Sequence, residues 1–459
     1  MKKHFPLILS VVLLMFSVLP CFALYNKQGI PDSSEVRKSL VQSWFTASVE
    51  QVRSNKTELY INNVGTVFQV RSEENGKDLL IIVAPQEKLA VDVYTEQGKS
   101  SSYIDVYPLD SPGSWVLLRD VDTGKPIQIR YYFAADSDVF VQFRPYGTKT
   151  VADFVVYGSF AARSVPVGIA FERLYTASFS AIQDLTKRTL PWEYSDIVPE
   201  LYNPVLQMIS VIREQQERFF AAEDAAYDEN GEPVNILSNT PRIVAEDVIE
   251  AEGLSFSSAG FLKWIIDGLV VPLAGGYTKI EPLLVSTAEN KTGSFADVKS
   301  QIFDLDFSLN WTRNLAAAAL SVYSGKNYYY TDSGCDVTIE PFSSTQSTQG
   351  WTNNLGYLKD SGYSISSLKP LLYVLAVTEP GRFFLGAIRQ TDATNPSSPE
   401  VHFFTESVAL FPYFDSNGRF DVVVFENGQE LTLDSLLKKY SDTQIHLVRV
   451  NASERFFPQ

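Results

Sequence analysis

Gly253-Leu254-Ser255-Phe256-Ser257-Ser258-Ala259-Gly260-Phe261-Leu262-Lys263-Trp264 is the stretch on which the reading of the fold turns. Serines precede an apolar run in which Phe261, Trp264 and Ile265 fall at helical spacing, so a helix opens at the serine pair and buries that face. A helix N-terminus stabilises an anion placed on it and can bring a thiol pKa down towards ambient pH. A serine hydroxyl gains far too little from the same dipole to ionise and needs a strong, well-placed base.

Downstream, Glu379-Pro380-Gly381-Arg382-Phe383-Phe384-Leu385 reads as a turn into an apolar strand. Ser407-Val408-Ala409-Leu410-Phe411 reads as a second strand, joined by the turn Asp415-Ser416-Asn417-Gly418 to a third, Phe420-Asp421-Val422-Val423-Val424-Phe425-Glu426. This succession resembles the NlpC-type papain-like cell-wall peptidases, in which Asp-Cys-Ser-Gly-Phe-Val opens the nucleophile helix and a Pro-Gly turn precedes the histidine strand. Matching Gly260 and Phe261 sets Ser257 at the family's aspartate, Ser258 at its cysteine and Ala259 at its serine; the histidine falls at Ser407 and the third, orienting group at or near Glu426. The resemblance covers residues of about 240 to 450 and is broken by a long insertion, 270–375.

The resemblance implies an α+β domain over 236–459 with a helix packed on an antiparallel sheet. With Ser258 and Ser407 substituted in a triad completed by Glu426, it also implies a domain that no longer hydrolyses peptide bonds and binds cell-wall peptide or another envelope partner through the inherited groove. Two rivals stand beside it. One is an active peptidase or amidase using Ser258 or Cys335 as nucleophile with His402 or Glu426 as base; the other is a structural envelope protein without a groove. An unrelated α+β domain, in which Phe261, Trp264 and Ile265 are an apolar helix face and nothing more, explains the same residues.

Cys335 lies in Thr331-Asp332-Ser333-Gly334-Cys335-Asp336, beside carboxylates that raise a thiol pKa. His402 stands five residues before Ser407; on a straight strand that offset turns it to the opposite face and displaces it by roughly 16 Å, unless a bulge restores the facing. His446 reads as packing in a terminal strand. Outside residues 1–23 the chain has two histidines and one cysteine, which do not make a zinc site of the usual ligand types, and no cofactor or metal is expected.

Upstream, residues 161–235 read as a helical connector in which Val205, Met208, Ile209 and Ile212 form a buried stripe continued by Phe219 and Phe220. Asp228-Glu229-Asn230-Gly231-Glu232-Pro233 marks its end and the main domain boundary. Residues 24–160 alternate with a period of two, as in Leu89, Val91, Val93 and again in Val139, Val141, Phe143. Turns at Asn75-Gly76, Gln97-Gly98, Pro112-Gly113, Asp122-Thr123-Gly124 and Tyr146-Gly147 punctuate them, which predicts an antiparallel β-sandwich.

Residues 1–23 read as a signal peptide: Lys2, Lys3 and His4, an apolar run from Leu7 to Leu19, and Cys21-Phe22-Ala23 as the cleavage site. Pro20 before Cys21 disfavours a lipid anchor there. The expectation is an extracytoplasmic protein, periplasmic or secreted, without a membrane span after processing. Its 38 basic and 54 acidic residues leave a net charge of -16, which repels phosphate backbones and argues against nucleic acid as a partner.

Overall fold

The computed structural model describes residues 29–95, 98–288, 305–343, 345–347, 350–352, 356–392 and 401–459. The signal-peptide reading, Cys21 included, and the turn residue Gln97 lie outside the described residues. The chain is α+β, with large antiparallel sheets and several helices. No helix among the described residues is long and apolar enough to cross a membrane.

The first half is built on β1 (Glu58–Ile61), β2 (Val67–Asn75), β3 (Asp78–Pro85), β4 (Glu87–Thr95), β5 (Gly98–Val106), β6 (Trp115–Asp120), β7 (Pro126–Tyr132), β8 (Val139–Tyr146), β9 (Lys149–Val156) and β10 (Ser159–Val167). Eight of these form one antiparallel sheet in the order β1-β2-β3-β6-β7-β8-β9-β10, so the expected pair of packed sheets is replaced by a single one. Its apolar face is closed by helices: Val36 and Leu40 of α1 (Ser34–Leu40) and Val49 and Val52 of α2 (Val49–Ser54) share one core with Phe68, Ile81, Leu117, Val141 and Phe154. Alternation fixes which residues of a strand face inward; it carries no information on whether a sheet or a helix lies opposite. Val139, Val141 and Phe143 are buried as their period requires. Leu89 and Val93 are not, because β4 and β5 pair only with each other in a ribbon that leaves Leu89, Tyr94, Tyr103 and Ile104 exposed.

Two helices follow, α3 (Phe179–Thr186) and α4 (Asn203–Gln215), and the α4 stripe Val205, Met208, Ile209, Ile212 is buried as read. Phe219 does not continue that stripe. It opens β11 (Phe219–Ala221), which pairs in parallel with a later strand, Leu254–Phe256. The polar run 228–233 is a tight turn between β12 (Ala225–Tyr227) and β13 (Pro233–Asn235), closed by the Asp228 N–H to the Glu232 carbonyl and extended to β14 (Thr240–Pro241). Gly231 and Pro233 thus punctuate a small sheet rather than a boundary, and α4 before it belongs to the same core as the segments after it.

The second half is a sheet with helices on both faces. After β15 (Leu254–Phe256) come α5 (Ser258–Ala274) and α6 (Phe307–Ser324), then β16 (Tyr363–Ser364), α7 (Leu368–Thr378), β17 (Arg382–Asp392), β18 (Val401–Phe414), β19 (Phe420–Glu426), β20 (Gln429–Thr432), α8 (Leu433–Lys439) and β21 (Gln444–Asn451). The strand order is β16-β21-β17-β18-β19-β20, with every pairing antiparallel. Phe383, Leu385, Ala409, Phe411, Val423 and Val448 pack against Phe261, Ile265, Trp311 and Leu315 of α5 and α6. The alternate residues Phe384, Val408, Leu410, Val424 and Leu447 pack against α7 and α8. Both α6 and most of α7 come from the expected insertion 270–375, and they are layers of the core. The halves meet where Tyr373 of α7 touches Tyr157, Phe414 and Phe420, and where Asp136 accepts the Phe420 N–H at 2.9 Å.

Candidate functional site

The start of α5 is fixed by two residues. Ser257 is extended, and its hydroxyl accepts the Gly260 N–H, the capping bond that satisfies one of the orphan donors of a first helical turn. Its own N–H and Oγ both reach the Ala225 carbonyl, at 2.9 and 3.1 Å, which pins the helix start to β12. Gly260 is needed at this contact, because a Cβ there would sit 1.9 Å from the Ala225 carbonyl oxygen. Ser258, the first helical residue, is buried.

Ser258 lies near the carboxyl of Glu406 on β18, a residue outside the sequence-based triad, close enough to lower its pKa. Burial raises the Glu406 pKa, and the nearby charge of Glu426 raises it further, against lowering by Lys439 and by the Ser258 hydroxyl. Glu426, at the end of β19, is buried and bound by the Lys439 ammonium at 2.6 Å and by the Tyr440 hydroxyl. Burial, with the Glu426 hydrogen bond, pushes the Tyr440 phenol well above its ordinary range. Two expected positions, Ser258 and Glu426, are therefore gathered round Glu406. Its signal in sequence was a carboxylate next to Ser407, just before the apolar run Val408-Ala409-Leu410-Phe411.

Ser407 belongs to a different environment. It pairs with Ala387 of β17 and is 1% exposed, and its hydroxyl has no hydrogen-bond partner. Leu309 of α6 packs over that region with Ala387 and Phe404. A helix of the insertion thus occupies the space an open groove would need.

The Cys335 and His402 pair does not form. The register slips at Thr405, between the pairs Ile388 with Glu406 and Arg389 with Phe404, so the bulge does restore the facing of His402. Distance still separates the two. His402 pairs with Thr391, whose hydroxyl lies 2.9 Å from its Nδ1, whereas Cys335 adjoins the Asp336 bridge to Val448, level with Leu385. Leu385 and Thr391 stand six positions apart along β17, about 20 Å. Burial raises the Cys335 thiol pKa, and Asp336 adds to it, against lowering by Ser333 and Arg449.

His446 sits across Ala387 from Ser407, in the same row of the sheet but two strands away, about 10 Å between backbones. It is fully buried, with Nε2 3.3 Å from Asp336 and 3.2 Å from Arg313, and Nδ1 has no partner. Arg313, also buried, holds Asp336 and Asp360 at 2.8 and 2.9 Å, and Tyr330 donates to Asp336 at 2.6 Å. Burial lowers the His446 pKa despite Asp336, so the imidazole is neutral at pH 7 and the permanent cation of this network is Arg313. Among the described residues no group of three or more His, Cys, Asp or Glu side chains could hold a metal ion.

Residues 26–194 match the model of a domain of unknown function, DUF8515, which spans the N-terminal sheet and α1 to α3 and ends before the Ser258 region. No curated protein and no solved structure matches the chain.

Proposed function

We propose that this is an extracytoplasmic protein whose second half is a papain-like domain of the NlpC type that has lost peptide hydrolysis and, with α6 filling the inherited groove, meets an envelope partner elsewhere on its surface. Support comes from the order of the pieces: the capped helix at Ser258, the Pro-Gly turn, then two hairpin strands in the sheet on which that helix packs. The observation that carries the loss of activity is that the family's histidine position, Ser407, is buried under α6 with no hydrogen-bond partner for its hydroxyl. A serine cannot remove a proton from another serine at neutral pH, and neither His402 nor His446 bonds to Ser258. Ser407→His cannot simply restore the base, because the ring would have to displace Leu309.

The test is turnover of muropeptides by the purified mature protein, followed by mass spectrometry, beside Ser258→Ala. We expect no product from either, and no muropeptide binding that Ser258→Ala alters. The nearness of Ser258 to the Glu406 carboxyl, whose pKa burial raises, favours a second reading, a weak carboxylate-assisted serine hydrolase. Turnover lost on both Ser258→Ala and Glu406→Gln would establish that reading and overturn the first.

A further inference from the structure

Between the C-terminal halves of α5 and α6 and the end of β21 lies a groove of about 1020 Å³. That is the upper end of the range for small-molecule sites, about 300–1,000 Å³. Its helical wall is apolar: Leu269 and Leu273 from α5, and Ala316, Ala319 and Leu320 from α6. Ala316 and Ala319 are three residues apart on one helix face, and their short side chains leave the space. Leu273 at 50% and Tyr323 at 65% exposed bring apolar surface to the lip.

The opposite wall is cationic. Arg382, Arg449 and Arg455 line it with only Glu379 and Glu454 against them, in a chain whose net charge is -16. The Glu379 carboxylate is shared by Arg382 and Arg449, and Arg449 is further held by the carbonyls of Gly334 and Asp336 at 2.9 and 2.7 Å. Arg455 is exposed, and its guanidinium makes no ion pair among the described residues.

From this arrangement we infer that the groove binds an anionic amphiphile, with one acyl chain along α5 and α6 and a carboxylate or phosphate at Arg455 and Arg382. A peptide lying on the helical wall would leave its backbone donors and acceptors unsatisfied against leucine and alanine, whereas an acyl chain has none to satisfy. The anion completes the charge of an arginine cluster that Glu379 and Glu454 only partly balance. None of the groove residues belongs to the Ser258 register, so this inference and the proposed loss of hydrolysis can fail separately.

The test is a fluorescence titration of the purified mature protein with cis-parinaric acid and with its methyl ester. Saturable binding of the acid is expected, with the ester about five-fold weaker, the effect of one partly exposed charge pair. Arg455→Glu should weaken the acid by about as much and leave the ester unchanged. Ala319→Trp, which fills the groove, should abolish both; Leu273→Asp, at an exposed lip position, gives the same test without crowding the helix packing. Competition by oleate against lysophosphatidylglycerol then separates a free fatty acid from a phospholipid source. Absence of saturable binding, equal binding of acid and ester, displacement by neither competitor, or full binding by a folded Ala319→Trp or Leu273→Asp protein overturns the inference.

Discussion

The backbone N–H of Phe457 donates to the carbonyl of Gly268 across 2.9 Å, taking the place of a donor that helix α5 lacks. Pro272 lies four residues further along α5 and has no N–H to give that carbonyl. Gly268 also admits the Phe456 ring, since a Cβ there would come within 2.6 Å of it, and Trp264 Nε1 donates to the Gln459 carbonyl at 3.0 Å. The tail is thus part of the helix it covers.

Gly268→Ala should therefore destabilise the fold by about 1–3 kcal/mol, the cost of overpacking a filled site. Phe456→Ala should cost about 3–5 kcal/mol through the cavity it leaves. Urea denaturation measures both. Stabilities equal to that of the parent protein would mean that the tail does not hold α5.

Acid should weaken the protein in two steps. The His446 pKa is lowered in the fold by burial, so its contribution is fully present above the unfolded value of about 6.5 and is lost as the pH falls below it. Asp336 is also held below its usual range: burial raises it, but His446 and Arg313 outweigh that, so its contribution is lost only below about pH 4. His446→Gln should flatten the stability profile just below about pH 6.5 and leave the more acidic step in place. Arg313→Met strands a buried carboxylate and should cost about 3–5 kcal/mol at pH 7. Denaturation midpoints measured across pH check both variants.

Cys335 should resist thiol reagents in the native protein, because burial keeps its thiol protonated well above neutral pH. Peptide mapping after iodoacetamide at pH 8 should find it unmodified until denaturant is added. Rapid native labelling would show the segment to be open.

How much of this could be read from residues alone follows from the range of each interaction. The start of α5 was legible because a serine cap and an apolar run are local, and the hairpin at Asp415-Ser416-Asn417-Gly418 because turn chemistry is local too. What covers a surface was not legible. Nothing in the sequence near Ser407 announces that Leu309, roughly a hundred residues earlier, packs over it, or that Leu89 and Val93 alternate on a ribbon with no layer against it. Glu406 was missed because its neighbours Glu426 and Lys439 come from later elements of the chain, and that proximity leaves no local mark in sequence.

The most direct measurement of the central claim is the intact mass of the protein after incubation with a fluorophosphonate, which reports whether Ser258 is an activated nucleophile. With no imidazole bonded to it, Ser258 should remain unmodified, and the protein should keep its parent mass. A stoichiometric adduct mapped to Ser258, and absent from Ser258→Ala, would contradict a catalytically silent site.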